Sequence, residues 1–276
     1  MTTVELERHN DDFLKFLGTA GARFVVSRQL RASGGLWLSA DNLNILIDPG
    51  PGSLVKCLSS RPKLDPGSLN GIILTHRHLD HSNDVNILIE AMTNGGKNKN
   101  GFLFAPRDAL EEESPVVQFY LRHFLDKIDF LEEKKKVDFS SFTLETPVKH
   151  HHPVETYGLK FTFPYGKISL ISDTAFFPEL IDYYQGTDIL ILNVVIFKDK
   201  SRYKIYHLNF QNARELIRGI KPKVAILTHF GMTMLQQKPH LLAARLQEEL
   251  GIKVIAAGDG LKLSLPKLLM AYTEAL

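Results

Sequence analysis

The order of apolar and polar positions predicts β-structure in the first part of the chain, followed by strands that alternate with helices. Residues 43–48 follow the alternating pattern of a strand, and Asp41-Asn42 before them predicts a hairpin turn. We therefore expect the opening to be antiparallel. Residues 189–192 are continuously apolar, which is typical of a strand that is buried on both faces.

The same reading along the chain gives a complete set of elements. Strands are predicted at residues 13–18, 36–39, 43–48, 71–74, 102–105, 128–131, 142–145, 159–163, 167–172, 189–192, 224–227, 254–257 and 261–263. Helices are predicted at residues 53–58, with Ser53 as the cap, 83–92, 107–125, 177–184, 209–220 and 239–250. This order belongs to the α/β (α+β) class and predicts a four-layer αββα sandwich, in which two mixed β-sheets lie face to face and helices flank each sheet. No linker or short repeat interrupts it, so we expect a single domain over residues 1–276.

The most unusual stretch is Thr75-His76-Arg77-His78-Leu79-Asp80-His81, which joins a predicted buried strand to a predicted helix. An imidazole that leaves water needs a partner, and a metal ion provides one. His76 and His78 can point the same way if the chain is extended, whereas Asp80 and His81 follow the bend and can face a second ion. A solvated histidine-rich turn is the alternative, but three histidines and a carboxylate at this spacing favour metal binding.

Four further polar residues come at strand ends or helix starts downstream. His152, Asp173 and His229 follow predicted strands, and His207 is expected to open a helix. Taken alone, each residue could be a turn or cap residue. Two zinc ions need about four ligands each, less the positions that water or substrate takes. Together with the 76–81 cluster, the four residues therefore favour a centre for two metal ions.

Composition indicates the class of protein and its expected compartment but does not identify a substrate. The 276 residues are 44% hydrophobic and 23% charged, with a net charge of +2, which neither predicts nor excludes nucleic-acid or membrane binding. A single cysteine, Cys57, excludes an internal disulfide and is expected to pack in the core. No signal peptide or apolar run long enough to span a bilayer is visible, so we expect a cytoplasmic protein.

With these motifs in place, nearly the whole chain resembles the metallo-β-lactamase superfamily, in its binuclear hydrolase branch. Within that superfamily it is most similar to the ribonuclease Z and phosphodiesterase subgroup. There, the third histidine precedes an aromatic-Gly pair by five residues, as His152 precedes Tyr157-Gly158. An extra histidine precedes an alanine by six residues, as His207 precedes Ala213. The resemblance rests on Asp48, His76-x-His78-x-Asp80-His81, His152, Asp173 in Ser-Asp-Thr and His229 in Thr-His-Phe-Gly.

The resemblance implies a role for each of these residues. His76, His78 and His152 would bind one metal ion. Asp80, His81 and His229 would bind the second, and Asp173 would bridge the two. Asp48 would orient a ligand imidazole. Asp80 would also accept the proton of the attacking water or orient it, and His207 would contact the scissile phosphate or assist the leaving group. Zn²⁺ is the expected metal, with Mn²⁺ and Fe²⁺ as alternatives.

The implied activity is hydrolysis of a small phosphodiester by a hydroxide that bridges the two metals. His78 stands where oxygen-reducing di-iron relatives carry glutamate, which favours hydrolysis. Ribonuclease Z proteins often carry a long tRNA-gripping arm between the third histidine and the bridging aspartate. Only 20 residues separate His152 from Asp173. This spacing leaves no room for such an arm and favours a small phosphodiester over tRNA. The alternatives are an RNA-processing endonuclease of ribonuclease Z type, with RNA as the partner, a thioester or lactone hydrolase, and a non-catalytic metal protein. A homodimer is common in the family.

Other candidate residues have less support. Arg28 and Arg31 could hold a substrate phosphate or simply be surface charges. His150 and His151 are expected near the mouth of the site without binding metal. The remaining candidates are expected to be surface, core or turn residues; they are His9, His123, His240 and Asp259.

Overall fold

Two β-sheets lie face to face in the computed structural model, which describes residues 12–198, 202 and 205–270. The first sheet has the strand order β15-β1-β2-β3-β4-β5-β6. Its strands are β1 (Phe13–Phe16), β2 (Leu36–Ala40), β3 (Leu43–Ile47), β4 (Gly71–Ile73), β5 (Phe102–Ala105), β6 (Lys127–Phe130) and β15 (Lys262–Ser264).

The second sheet is formed mainly by the later part of the chain and has the order β14-β13-β11-β10-β9-β8-β7, with β12 paired to β11. Its strands are β7 (Lys135–Asp138), β8 (Thr143–Thr146), β9 (Leu159–Phe163), β10 (Gly166–Ile171), β11 (Ile189–Ile196), β12 (Leu208–Asn209), β13 (Val224–Thr228) and β14 (Lys253–Ala256).

Each sheet combines an antiparallel part with a parallel part. β15, β1, β2 and β3 pair antiparallel in that order, with the predicted hairpin between β2 and β3, whereas β3 to β6 run parallel. In the second sheet β7 to β10 are antiparallel, and β10, β11, β13 and β14 are parallel. The carboxyl ends of the parallel strands therefore collect at one edge of each sheet.

Helices flank both sheets. Beside the first sheet lie α2 (Ser53–Ser59), α4 (Val85–Met92), α5 (Asp108–Glu111) and α6 (Phe119–Arg122), with α1 (Ala22–Ser27) and α3 (Leu79–Ser82) in the loops at its edge. Beside the second lie α7 (Leu180–Tyr183), α8 (Phe210–Ile220), α9 (Met232–Gln236) and α10 (Pro239–Leu250), and α11 (Leu265–Met270) follows β15. None of the described helices combines the length and apolar character that a bilayer-spanning segment needs.

Three apolar clusters explain the layers. Along β13, Val224 and Ile226 point into the cluster between the sheets, while Ala225 and Leu227 pack against the outer helices. On β3, Ile45 likewise faces the other sheet. Side chains of a strand alternate between its two faces, so a strand covered on both sides is apolar at nearly every position. The predicted αββα sandwich is thus confirmed.

Several predicted elements are wrong in detail. The helix expected over residues 107–125 is two short helices, α5 and α6, because Pro115 has no N–H to donate and disfavours helical geometry at Ser114. Arg122 stabilises the intervening segment by donating to the carbonyl oxygens of Val117 and Leu110. Gly52, and not Ser53, is the N-cap of α2, and the Ser53 hydroxyl donates to the Gly50 carbonyl.

The sequence patterns also missed β7, β12, α1, α3, α9 and α11. β7 is a charged edge strand, and α1 buries only Val25, so neither carries a strong apolar pattern. His207 does not open a helix: it precedes β12, and Asn209 caps α8 with a reciprocal bond to Asn212. His9 lies outside the described residues.

The central cluster makes a direct stability prediction. Ile226→Ala removes a fully buried side chain between the sheets, and we expect the free energy of unfolding to fall by about 2–5 kcal/mol. Ile87→Ala, the same change at an exposed position on α4, should alter it by less than about 0.5 kcal/mol. Urea unfolding of both variants is the measurement, and equal losses would contradict the central position of Ile226.

Candidate metal centre

The structure brings all seven predicted ligands together where strands of the two sheets end. His76 and His78 follow β4, and Asp80 and His81 lie on α3. From the second sheet, His152 comes from the loop after β8, Asp173 follows β10 and His229 follows β13. Their potential ligand atoms form three groups, each with its atoms within 4.8 Å of one another: His76, His78 and His152; His76, His81 and Asp173; and Asp80, His81 and His229.

The first group consists of three neutral imidazoles. Nε2 of His152 lies 3.0 Å from Nδ1 of His78, and the His76 ring is 5.0 Å or less from both rings. Burial lowers the pKa of all three rings, that of His152 to about 4. His152 Nδ1 faces the carbonyl oxygen of Tyr206 at 2.9 Å and must donate to it. The Nε2 lone pair of His152 therefore points toward His78.

The Thr75 hydroxyl fixes the orientation and tautomer of His76. Its one proton goes to the Asp48 carboxylate at 2.7 Å, so its oxygen accepts from Ser172 and from His76 Nδ1, at 2.8 and 3.1 Å. The neutral His76 ring thus carries its proton on Nδ1 and a lone pair on Nε2. His76 Nε2 is buried and has no hydrogen-bond partner in the described structure.

The second group is more polar. Nε2 of His229 lies 3.2 Å from Nε2 of His81 and 3.5 Å from Oδ2 of Asp80. Burial opposes a charge on His81, but the carboxylates of Asp48, Asp80 and Asp173 raise its pKa well above the usual value. His81 Nδ1 lies 2.9 Å from Asp48 Oδ2. The Asp48 carboxylate therefore positions both the His81 ring and the Thr75 side chain.

Asp173 lies between the two groups. Its Oδ2 is 3.9 Å from His76 Nε2 and 3.6 Å from His81 Nε2, and its Oδ1 is 3.5 Å from His229 Nε2. Burial alone would raise the pKa of this carboxyl, but the surrounding histidines, above all His229, lower it well below the usual range. Asp173 is therefore an ionised carboxylate in a buried setting.

The donor set fits two divalent cations. Buried polar atoms normally have a hydrogen-bond partner, and His76 Nε2 has none among the described residues. A cation would serve as the partner of its lone pair. Neutral imidazole nitrogens and carboxylate oxygens are the donors that Zn²⁺ takes in catalytic sites. The carboxylates of Asp80 and Asp173 supply negative charge beside them.

Close backbone packing holds the site in place. Asp48 and His229 adopt φ values of +52° and +59°, a region that residues other than glycine enter at a cost. A Cβ on Gly21 would lie 2.1 Å from the carbonyl oxygen of His229, and one on Gly50 would lie 2.1 Å from that of Asp80. Only glycine therefore allows these chain segments to approach the ligand backbone.

His207 and Asn193 complete the surroundings of Asp173. His207 Nδ1 lies 3.3 Å from Asp173 Oδ2, and its side chain is 25% exposed at the edge of the centre. Asn193 Nδ2 donates to Asp173 Oδ1 at 2.9 Å. Sequence analysis missed Asn193, although a lone amide within the apolar strand β11 was a usable signal.

The other candidates lie apart from the ligand groups. His150 is buried and bonded to the hydroxyl of Tyr184 at 3.0 Å, so its expected place at the site mouth is wrong, whereas His151 is exposed and stacks on Phe177. Arg31 donates to Thr19 Oγ1 and to the carbonyl of Ala257, and Arg28 lies 5.8 Å from the Phe24 ring. Asp259 is more than a turn residue, since its carboxylate accepts hydrogen bonds from Thr19 and Ala32.

Comparison with known proteins establishes the family. A family model described as a beta-lactamase superfamily domain matches residues 43–230, more than half of the chain. The protein therefore belongs to this superfamily and has the metallo-β-lactamase fold, which confirms the resemblance seen in its motifs. It is a hydrolase of that fold; the number of its metal ions and its substrate remain predictions.

Individual relatives cover different shares of the chain. An uncharacterized protein of Methanocaldococcus jannaschii is 33% identical over 256 residues, which is 91% of this chain and 94% of that protein. Ribonuclease Z of Thermoplasma volcanium is 28% identical over 138 residues, which is 49% of this chain and 44% of that enzyme.

Two solved structures share the fold over most of the chain. YhfI of Bacillus subtilis, described as a metallo-beta-lactamase fold protein, superposes with a TM-score of 0.75 at 19% identity and covers 92% of this chain and 99% of its own. A diphosphatase of the PhnP family gives 0.67 at 20% identity and covers 91% of this chain and 96% of its own. At this identity the likeness establishes the fold alone.

The hydrogen bonds of Thr75 make a prediction about metal affinity. Thr75→Val keeps the shape of the side chain but removes the bonds that the hydroxyl makes with Asp48, His76 and Ser172. We expect metal affinity to fall by about 10–100-fold because supporting partners orient the ligands. Competition with a chromogenic chelator measures this affinity. Thr143→Val, on the half-buried strand β8, is the matched control and should bind like the wild type. Equal affinities in both variants would contradict the role of the Thr75 hydroxyl.

Proposed function

We propose that this protein is a phosphodiesterase that uses two divalent metal ions, with Zn²⁺ as the expected metal. The observation that carries the proposal is the place of Asp173: one buried carboxylate lies within 4 Å of ring nitrogens from both ligand groups. A carboxylate in that place suits a bridge between two cations. Two separate structural ions would not need a shared ligand.

In this proposal the residues divide as the family resemblance implies. His76, His78 and His152 hold one cation, Asp80, His81 and His229 hold the other, and Asp173 contacts both. Two cations, when bound, lower the pKa of water and polarise a phosphoryl oxygen. Asp48 and Thr75 keep the His81 and His76 rings turned toward the cations. Asn193 holds one oxygen of Asp173 and so limits rotation of the bridging carboxylate.

Asp80 and His207 are proposed to act on the substrate. Asp80 lies beside His229 and can accept a proton from the attacking water or orient it. His207 is partly exposed, unlike the rings of His76, His81 and His229, so a substrate can reach it from solvent. A histidine in this place can bind the scissile phosphate or give a proton to the leaving oxygen.

A phosphodiester substrate is favoured by the two motifs shared with the ribonuclease Z and phosphodiesterase subgroup, at His152 and His207. It also agrees with the names of similar proteins, a ribonuclease Z and a PhnP-family diphosphatase. Between His152 and Asp173 the chain forms the hairpin of β9 and β10, which leaves no long arm for gripping tRNA at that place. The proposal is therefore a small phosphodiester.

Asp173→Ala tests the two-metal proposal. We expect the variant to lose occupancy of both sites, because one carboxylate serves each cation, whereas the wild type should bind about two metal ions per chain. Metal content after dialysis, measured by atomic emission, is the readout. Asp182→Ala, which removes an exposed carboxylate on α7, should leave the content unchanged. Wild-type metal content in Asp173→Ala would count against the bridge.

His207→Ala tests the catalytic step. We expect it to keep the metal content but to hydrolyse bis(p-nitrophenyl) phosphate about 10²-fold more slowly, because a positioned acid typically contributes at least this much. His240→Ala, at an exposed position on α10, is the control and should retain full turnover. Unchanged turnover in His207→Ala would return this residue to a structural role. Metal-loaded wild type without activity on the diester would refute the phosphodiesterase proposal itself.

A further inference from the structure

A pocket lined mainly by polar residues lies away from the metal ligands, between β1, the end of α2 and the turn at residues 259–260. Its volume of about 290 Å³ is near the lower end of the range for small-molecule sites, ~300–1,000 Å³. Three of the residues that line it are cationic: Lys15, Lys56 and Arg61. The residues of the metal centre do not line it.

Lys15 occupies a position that the strand pattern reserves for an apolar residue. Leu14 and Phe16 of β1 point into the central core, whereas Phe13 and Leu17 belong to the cluster under the outer helices. Lys15 lies between Phe13 and Leu17 on that outer face and is only 3% exposed. A charged group at such a position requires compensating contacts.

Those contacts are incomplete. The Lys15 ammonium donates to the carbonyl oxygen of Arg61 at 3.0 Å, which uses one of its three N–H groups. Across the described residues, none of the salt bridges includes Lys15, Lys56 or Arg61. Burial lowers the pKa of Lys15, and the nearby Lys262 lowers it further. The three basic residues that line the pocket have no carboxylate partner among the described residues, so the pocket favours an anion.

The remaining polar groups point the same way. Ser60 Oγ is buried and has no hydrogen-bond partner in the described structure. Asp259, the one carboxylate that lines the pocket, is already engaged: Oδ1 accepts from Thr19 N and Oγ1, and Oδ2 accepts from Ala32 N. It does not pair with the Lys15 ammonium. Cys57 behind the pocket stays neutral, because burial raises the pKa of its thiol to about 12.

We propose that this pocket binds the phosphate group of a small phosphorylated molecule, independently of the metal centre. Ammonium and guanidinium groups supply charge-assisted hydrogen bonds to phosphate oxygens, and the free Ser60 hydroxyl adds a neutral donor. The volume leaves room beside the phosphate for a group of about the size of a sugar. The pocket would give the enzyme a second, non-catalytic site for a phosphorylated ligand.

Calorimetric titration of the metal-loaded full chain with ribose 5-phosphate tests this proposal. We expect Lys56→Ala/Arg61→Ala to weaken the pocket's binding step at least tenfold, while Asp173→Ala retains that step. The control Lys136→Ala/Arg218→Ala also removes one lysine and one arginine, but from β7 and α8 beside the second sheet, and it should bind like the wild type. Equal binding by Lys56→Ala/Arg61→Ala and wild type, or loss of all binding in Asp173→Ala, would overturn the proposal.

Thermal unfolding with Lys15→Met gives a second readout. This variant replaces the buried cation by an apolar chain of similar length, which often keeps or raises stability. Inorganic phosphate should raise the melting temperature of the wild type more than that of Lys15→Met, since a ligand stabilises the state that binds it. Equal shifts in both proteins, or an equal shift of the wild type with acetate, would overturn the assignment to phosphate.

Discussion

A single hydroxyl group, that of Thr75, determines how the centre is arranged. The hydroxyl has one proton and donates it in a hydrogen bond to the Asp48 carboxylate, so its oxygen must accept hydrogen bonds from both Ser172 and His76. The His76 lone pair is thereby aimed at the space beside Asp173. Because Thr75 follows β4 and Ser172 follows β10, the same hydroxyl also joins the two sheets at the edge where the ligands collect.

Electrostatics at this edge explain why the fold tolerates so many buried polar groups. Three neutral rings and an ionised Asp173 lie in a region that water does not reach freely, and the carboxylates around His81 raise the pKa of that ring although burial opposes it. The same negative potential attracts cations. Close packing of Gly21 and Gly50 against the ligand segments holds the arrangement and offsets the cost of the strained backbone at Asp48 and His229.

Sequence patterns predicted the layers, and the convergence of the seven candidate ligand residues, because both depend on where strands end. Alternation within β3 and β13 follows from strand geometry, and the 76–81 motif needs only a strand end and one turn. The pattern failed at residues 107–125, where Pro115 divides an apolar stretch, and at α1, which buries one side chain. The spacing of the family motif selected His152, which faces His78, but it did not predict that His150 turns inward to Tyr184, because that position depends on tertiary contacts. The roles of Asn193 and Asp259 also depend on partners distant in sequence.

The division of the chain between the sheets has a mechanical consequence. The strands β1 to β6, together with β15, form the first sheet, and the strands β7 to β14 form the second. The chain passes between the two halves at residues 131–134 and again at residues 257–261. Each proposed cation would take ligands from both halves: His76 and His78 with His152, and Asp80 and His81 with His229. The cations would then act as cross-links between two half-molecules, and resistance to shear along the sheet interface would rise and fall with metal supply.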